Sequence, residues 1–419
     1  MSSQSTSRLA QLAVSIADSV GKLEEILSIH GVPSPSFDED APDLLPRDAI
    51  DIRDLIIDCA AEIQDLLQGP LDLMYRHGSF NNCVSLQAIS RLNIASLVPL
   101  GGRTTFGDVA KQTRLDEREL RRLLRHAMTM RVFREPEPGV LAHTQASRAL
   151  LDPVANSWMA TGTEEMWPAS TKMVDALQKW PGSQEPSQTG FTLANGPGSS
   201  IYQILKEDHK RAARFANCMK AYMLMQEYNS FHVVNNYTWA NLGQVHLVDV
   251  GGGAGHVSVE LATRFPHISV TVQDMENIFE GADTQIPVAL EGRLNYMVHN
   301  FFVPQTVKAD IYFFRWIFHN WSDKYCILIL KALIPALKPG AKIIVNETCM
   351  PDPGTISHWR EKYLRSFDLM MGASFASYER SLDEWKALFT EADTRFRFQS
   401  VNESKDSALA IVEFTWSSD

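Results

Sequence analysis

Apolar residues recur at helical spacing through the first 28 residues (Leu9, Leu12, Ala13, Ile16, Val20, Leu23, Ile26, Leu27) and predict an amphipathic helix. The stretch GVPSPSFDEDAPDLLPRD (31–48), rich in proline, serine and acid, reads as a linker. AIDIRDLIIDCAAEIQDLLQGP then returns to the helical period and stops at Gly69-Pro70. Two helices this apolar, ahead of the first compact domain, are more than a tail requires and predict packing against a second copy of the chain. FNNCVSLQAISRLNIASLVPLGG is predicted as one helix ended by Gly101-Gly102. The helix that follows has an acidic first turn and carries Leu120, Leu123, Leu124 and Ala127 on one face. With a hairpin over VFREPEPGVLAHT, this region reads as a winged helix. From 155 to 240 more helical segments are broken by WPGSQEPSQTGFTLANGPGSS, after which RAARFANCMKAYMLMQEY is amphipathic and dense in methionine and aromatics. Such a stripe is more often core than pocket, although methionine also suits an irregular wall that fits a flat ligand.

After residue 245 the period changes. HLVDV, SVTVQD, YMVHN, DIYFFRW, KIIVNE and ALAIVEF are apolar strands separated by helix-length segments, which predicts a parallel sheet covered on both faces. The expected fold class is therefore α/β, a Rossmann-like doubly wound sheet behind an all-α, winged-helix N-terminal domain, with ligands at the carboxyl ends of the strands. The expected domains are N-terminal helices over 1–70, a winged-helix-like dimerisation domain over 71–155, a helical linker and substrate-pocket segment over 156–240, and a cofactor domain over 241–419.

Composition narrows the function classes. The formal net charge is −11, and no lysine- or arginine-rich wing accompanies the Arg121, Arg122, Arg125 face. That balance disfavours nucleic acid as a partner and favours a dimerisation or substrate-covering role for the winged helix. No apolar run approaches the roughly 20 residues that span a bilayer, so no membrane partner is expected. The N-terminus lacks a basic start followed by an apolar segment, and the five cysteines are scattered without C-x-x-C spacing. A cytoplasmic location, reduced thiols and no metal site are the expectation.

The strongest motif is LVDVGGGAGHVSVELATRFP (247–266), an apolar strand running into Gly251, Gly252, Gly253, Ala254 and Gly255 before a helix. Glycines let the chain turn tightly and let a ligand approach the backbone, and the helix N-terminus adds unpaired N–H groups. Nineteen residues past Gly255, Asp274 ends the next strand, where a carboxylate can hold a pair of ribose hydroxyls. Neither G-x-G-x-x-G nor a phosphate-loop motif fits. The pattern present is D-x-G-x-G-x-G (Asp249, Gly251, Gly253, Gly255), which resembles the first motif of S-adenosylmethionine-dependent methyltransferases.

The resemblance widens along the chain. LVDVGGGAG, QDM, ADIYFFRWIFHNWSD, LKPGAKIIVNE and YERSLDEWKALF occur in the order and spacing of the plant and fungal O-methyltransferases, the caffeate and flavonoid type with its fungal secondary-metabolite branch. The resemblance covers nearly the whole chain. It implies a homodimer that binds S-adenosyl-L-methionine and methylates a hydroxyl of an aromatic or polyketide-like small molecule. It implies His319 as catalytic base, flanked by Glu347 and Glu379, with Met275, Asn300, Phe301 and Arg315 joining the loop residues around the cofactor. Phe215, Met219, Trp316, Met370 and Met371 match the acceptor wall, and Gly372 close by is expected to leave room. His143 joins the expected substrate residues.

A base is chemically required. A phenol, with a pKa near ~10, is mostly protonated at neutral pH, and an imidazole with a reference pKa of about 6.5 can take that proton as the methyl moves. Two positions depart from the family pattern: Asn320 follows His319 where relatives carry an acid, and Asn300 replaces the acid beside the adenine. Relatives of this fold that keep the cofactor but catalyse dehydration or pericyclic ring formation supply the rival expectation.

Overall fold

The computed structural model describes residues 6–279 and 286–418. Its contacts fall into two units, Met1–Pro168 with Ile204–Ala221 and Pro353–Arg365, and Ala169–Gln203 with Tyr222–Asp352 and Ser366–Asp419.

In the first unit the helix Arg8–His30 starts at Ser7, whose Oγ accepts from Ala10 N, and ends at Gly31 in the left-handed region (φ 64°). The first five residues of the expected helical stretch lie outside the described residues. Leu23 and Leu27 are buried beside Ala49, with Ile52 and Ile56 of the helix Ile50–Leu67 packed against them. The stretch read as a linker has no regular element up to Pro46 but is tied down: Gln145 N donates to Phe37 O, and Arg134 pairs with Asp38. The helix expected to reach Gly101 ends at Arg91 instead. Asn93, at φ 48°, turns the chain into the short 3-10 segment Ile94–Leu97. Strands β1 (Thr104–Thr105), β2 (Arg134–Glu137) and β3 (Val140–Ala142) form a small sheet in the order β1-β3-β2. Helices Phe106–Thr113 and Glu117–Thr129 complete the winged-helix unit around Phe106, Leu120, Leu124 and Leu141. Arg121, Arg122 and Arg125 pair with Glu117, Glu119 and Glu135 of the same unit.

The second unit is built on β4 (Val245–Val250), β5 (Ile268–Asp274), β6 (Leu294–Val298), β7 (Ile311–Arg315), β8 (Lys342–Glu347), β9 (Phe396–Asn402) and β10 (Ala410–Trp416). Their order is β6-β5-β4-β7-β8-β10-β9. The first five are parallel, whereas β10 runs antiparallel to both β8 and β9. The sheet is thus mixed, and β9 is a strand that the apolar runs did not reveal. Only one of its seven residues is buried, as befits a solvated edge. Separate apolar cores cover the two faces, one containing Phe318, Trp385 and Phe389, the other Trp239, Val257 and Leu261. Chain order reverses between β4 and β7, so the carboxyl ends that carry the glycine loop, Asp274, Arg315 and Glu347 share one edge of the sheet. No helix among the described residues is long and apolar enough to cross a membrane.

Candidate active site

The glycine loop follows from what a side chain would strike. Gly251, Gly253 and Gly255 all adopt positive φ (71°, 59° and 75°). A Cβ on Gly251 would lie 2.4 Å from Ile317 Cδ1, and one on Gly252 2.5 Å from the Asp249 carboxylate. One on Gly253 would meet nothing within 4 Å among the described residues, which leaves space there for a ligand. Asp274 secures the loop: its Oδ2 accepts from Gly253 N at 2.9 Å and its Oδ1 from Met275 N at 2.7 Å. Each oxygen keeps a lone pair for a further donor, which fits a pair of ribose hydroxyls. Asp249 is buried, accepts from Ser258 Oγ at 2.6 Å, and is pushed up to about 6 by burial. Phe301 packs against the loop at Gly251, Met275 is half exposed, and Asn300 Oδ1 accepts from Phe302 N at 3.0 Å.

Beyond β7 the backbone makes a sharp turn. Trp316 has φ 56°, an uncommon conformation for a bulky residue, and a 3-10 turn over Phe318–Asn320 follows. The two amides after Trp316 point together, and Glu347 Oε1 accepts from both, Ile317 N at 2.6 Å and Phe318 N at 2.9 Å. Ser377 Oγ donates to His319 O, and the Arg380 guanidinium donates to Phe318 O, Trp321 O and Asp323. Asn320 Nδ2 donates back to Trp316 O at 3.0 Å. His319 is thus presented on a turn braced from both sides.

The imidazole is almost fully buried, and its Nδ1 lies 2.9 Å from Glu379 Oε1. Phe367 stacks on it at 6.0 Å between ring centroids and 15° between planes. Burial alone would depress the pKa of His319, but the charges of Glu379 and Glu347 outweigh it and the net shift is upward. Glu347 is pushed up to about 7, chiefly by burial. The two glutamates differ in role: Glu379 bonds the ring, and Glu347 bonds the backbone that carries it. One oxygen of each, Oε2, is buried without a hydrogen-bond partner among the described residues.

Arg315 lies between the two regions. Its guanidinium donates to Asn346 Oδ1 and Tyr228 O and feels both Glu347 and Asp249. Burial lowers its pKa to about 10. Trp316 joins an aromatic cluster with Tyr222, Tyr228 and Phe367, at 6.0 Å from Tyr222 and 5.2 Å from Tyr228. Met370 is half-buried and Met371 buried one helical turn past Phe367. Phe215 and Met219 belong to the other unit, where they are half-buried one turn apart on the helix His209–Leu224.

Two expectations are corrected. Gly372 leaves no extra room, because a Cβ there would lie 2.9 Å from the Met173 methyl. His143 is not a substrate-facing group: it is fully buried in the winged-helix unit, with Nδ1 3.0 Å from Ser147 Oγ and Nε2 3.1 Å from Val98 O. The neighbours of His319 and Trp316 that the sequence did not single out are Arg380, Ser377, Tyr222, Tyr228 and Phe367.

A model of the O-methyltransferase domain matches residues 178–395, and one of the O-methyltransferase dimerisation domain matches 75–153. The chain belongs to the O-methyltransferase family. It is 39% identical over 413 residues to the O-methyltransferase PaMT of Phomopsis amygdali, covering 98% of this chain and 97% of the relative. Identity to the chlorophenol O-methyltransferase of Trichoderma longibrachiatum is 36% over 422 residues, 98% of this chain and 90% of that one. The solved structure of OxaC in complex with SAH (S-adenosylhomocysteine) and oxaline shares the fold, with a TM-score of 0.75 and 20% identity over 97% of this chain and 100% of OxaC. The enzyme is an O-methyltransferase that uses S-adenosyl-L-methionine, and the open loop at Gly253 and the free lone pairs of Asp274 fit that cofactor.

Proposed function

We propose that this methyltransferase methylates a phenolic or enolic hydroxyl of a secondary metabolite, with His319 as general base. The observation that carries the reading is the bond between His319 Nδ1 and Glu379, which leaves Nε2 as the basic nitrogen of the neutral ring. The bound cofactor supplies an electrophilic methyl on a sulfonium. His319 Nε2 would take the proton of the acceptor hydroxyl, leaving its oxygen as the nucleophile toward that methyl. Glu379 fixes the ring and offsets the imidazolium charge, and Glu347 braces the turn.

Asp249, Gly251, Gly253, Gly255, Asp274, Met275, Asn300 and Phe301 are the proposed cofactor residues, with Arg315 as a counter-charge to Asp249. Trp316, Met370, Met371, Phe215 and Met219 are the proposed acceptor residues. Their apolar character favours a flat, aromatic acceptor. The name of the chlorophenol O-methyltransferase relative accords with a phenolic one. A homodimer is proposed on the matching dimerisation domain and on Leu67, Leu71, Met74, Tyr75 and Phe80, all largely exposed.

The test is incubation with labelled S-adenosyl-L-methionine and a panel of phenolic and enolic metabolites, following label and product mass. Methylated product with release of S-adenosylhomocysteine is expected. Product formed without mass gain or label would overturn the reading in favour of a cyclisation or dehydration.

A further inference from the structure

Gln273 and Gln305 are buried, at 1% and 4% exposure, and neither has a part in the chemistry above. Gln273 is the last residue but one of β5, next to Asp274, and Gln305 follows Phe301 in the connection from β6 to β7. Their amides face each other: Gln305 Nε2 donates to Gln273 Oε1 at 2.7 Å, and Gln273 Nε2 donates to Gln305 Oε1 at 3.0 Å. The backbone fixes this orientation. Gln305 Oε1 also lies 3.0 Å from Thr306 N and from Val307 N. Those amides can only donate, so the oxygen must face them, and Nε2 is left for Gln273.

Each glutamine is tied through its backbone to a part of the candidate cofactor site. Gln273 O accepts from Gly251 N at 2.8 Å and from Gly252 N at 3.1 Å. Gln305 N donates to Ala332 O at 2.8 Å, on the helix Asp323–Leu333. Val303 N donates to Asn300 O at 3.0 Å, and Asn300 Oδ1 holds Phe302 N, so residues 300–307 are braced throughout. The amide pair therefore joins the glycine loop and Asp274 to the segment that carries Asn300 and Phe301. Stability alone does not call for it, because two apolar side chains of the same shape would serve the core nearly as well. Paired amides add direction, since two bonds side by side fix both distance and angle. We infer that Gln273 and Gln305 are positioning residues for the cofactor, acting as a unit to hold Asp274 and the segment of Asn300 and Phe301 at the separation that its nucleoside requires. The inference rests on the assignment of these residues to the cofactor, and not on the identity of the acceptor.

The test is calorimetric binding of S-adenosylhomocysteine, without acceptor, paired with thermal melts of the ligand-free proteins. The full-length parent is compared with Gln273→Met, Gln305→Met, the double variant and Asp274→Asn. Each single methionine variant should lose about three- to tenfold in affinity and melt below the parent, since it strands the other amide in the core. The double variant strands neither, and Thr306 is exposed and Val307 half-buried, so water can take over their amides. Its melting temperature should return toward the parent, whereas its affinity should stay about as low as in the singles. Affinity that returns with the melting temperature would reduce the pair to a fold-stabilising role and overturn the inference. The double variant decides this by itself where a single one fails to fold. If Asp274→Asn loses affinity while the methionine variants bind like the parent, the pair does not position the cofactor. If Asp274→Asn also binds like the parent, the assignment of the loop itself fails.

Discussion

Glu379 Oε1 lies 2.9 Å from His319 Nδ1, and this contact selects the tautomer that leaves Nε2 basic. With His319 as the proposed base the neutral ring would be the active form, and because its pKa is raised, activity should climb with pH through a midpoint above the ordinary histidine value. Glu379→Gln removes a charge that raises that pKa, so the climb should move to lower pH. The plateau rate should fall by roughly tenfold or more, since an amide can donate to Nδ1 and favour the wrong tautomer. A rate profile with an unmoved midpoint would show that Glu379 does not act through His319.

His319→Ala should lower kcat by about two to four orders of magnitude, the usual range for a lost general base. Affinity for S-adenosylhomocysteine should stay within about twofold. A large loss of cofactor binding would mean that the histidine is structural.

Glu347 carries a pH signature in stability. Its folded pKa, about 7, lies above its ordinary 4.5, so its contribution is fully present below 4.5 and is lost as pH rises through 7. Glu347→Gln keeps an oxygen for the Ile317 and Phe318 amides and has no proton to lose. At pH 8 the variant should gain stability against the parent by up to about 3 kcal/mol, relative to the same comparison at pH 4.5. Urea unfolding at the two pH values reads this directly, and an equal difference at both would contradict it.

The glycines separate folding from binding. Gly251→Ala places a Cβ 2.4 Å from Ile317 at a positive φ and should destabilise the domain by more than about 2 kcal/mol. Gly253→Ala meets open space, so it should cost only about 1 kcal/mol of stability. Its methyl would project where the ligand approaches, and cofactor affinity should drop about tenfold or more. Thermal melts paired with binding isotherms distinguish the two.

Arg380 is completely buried and donates to two carbonyls of the His319 turn and to Asp323. Arg380→Met should cost about 1.5–3 kcal/mol in chemical denaturation, because the turn loses the charge-assisted hydrogen bonds to Phe318 O, Trp321 O and Asp323. A cost under about 1 kcal/mol would mean that water replaces it.

The glycine loop, Asp274 and the strand leading to His319 were legible because each is local: an apolar run, a turn that needs glycine, an acid at a fixed offset. The edge strand β9 was not, since solvated residues such as Arg397, Gln399 and Ser400 give no apolar run. Arg380 looks like a surface residue in its own segment. It becomes core only because folding brings the carbonyls of Phe318 and Trp321, some sixty positions earlier, onto its guanidinium. Gly372 fails for the same reason, as Met173 arrives from far away in the chain. His143 sits among winged-helix groups that no local pattern places beside it.

The two oxygens of Glu347 have separate employment. Oε1 holds the backbone of the histidine turn, and Oε2 is buried with no hydrogen-bond partner among the described residues. A proton can therefore arrive at or leave Oε2 without disturbing either amide. The group can change its charge next to the imidazole of His319 while the scaffold beneath that ring keeps its shape.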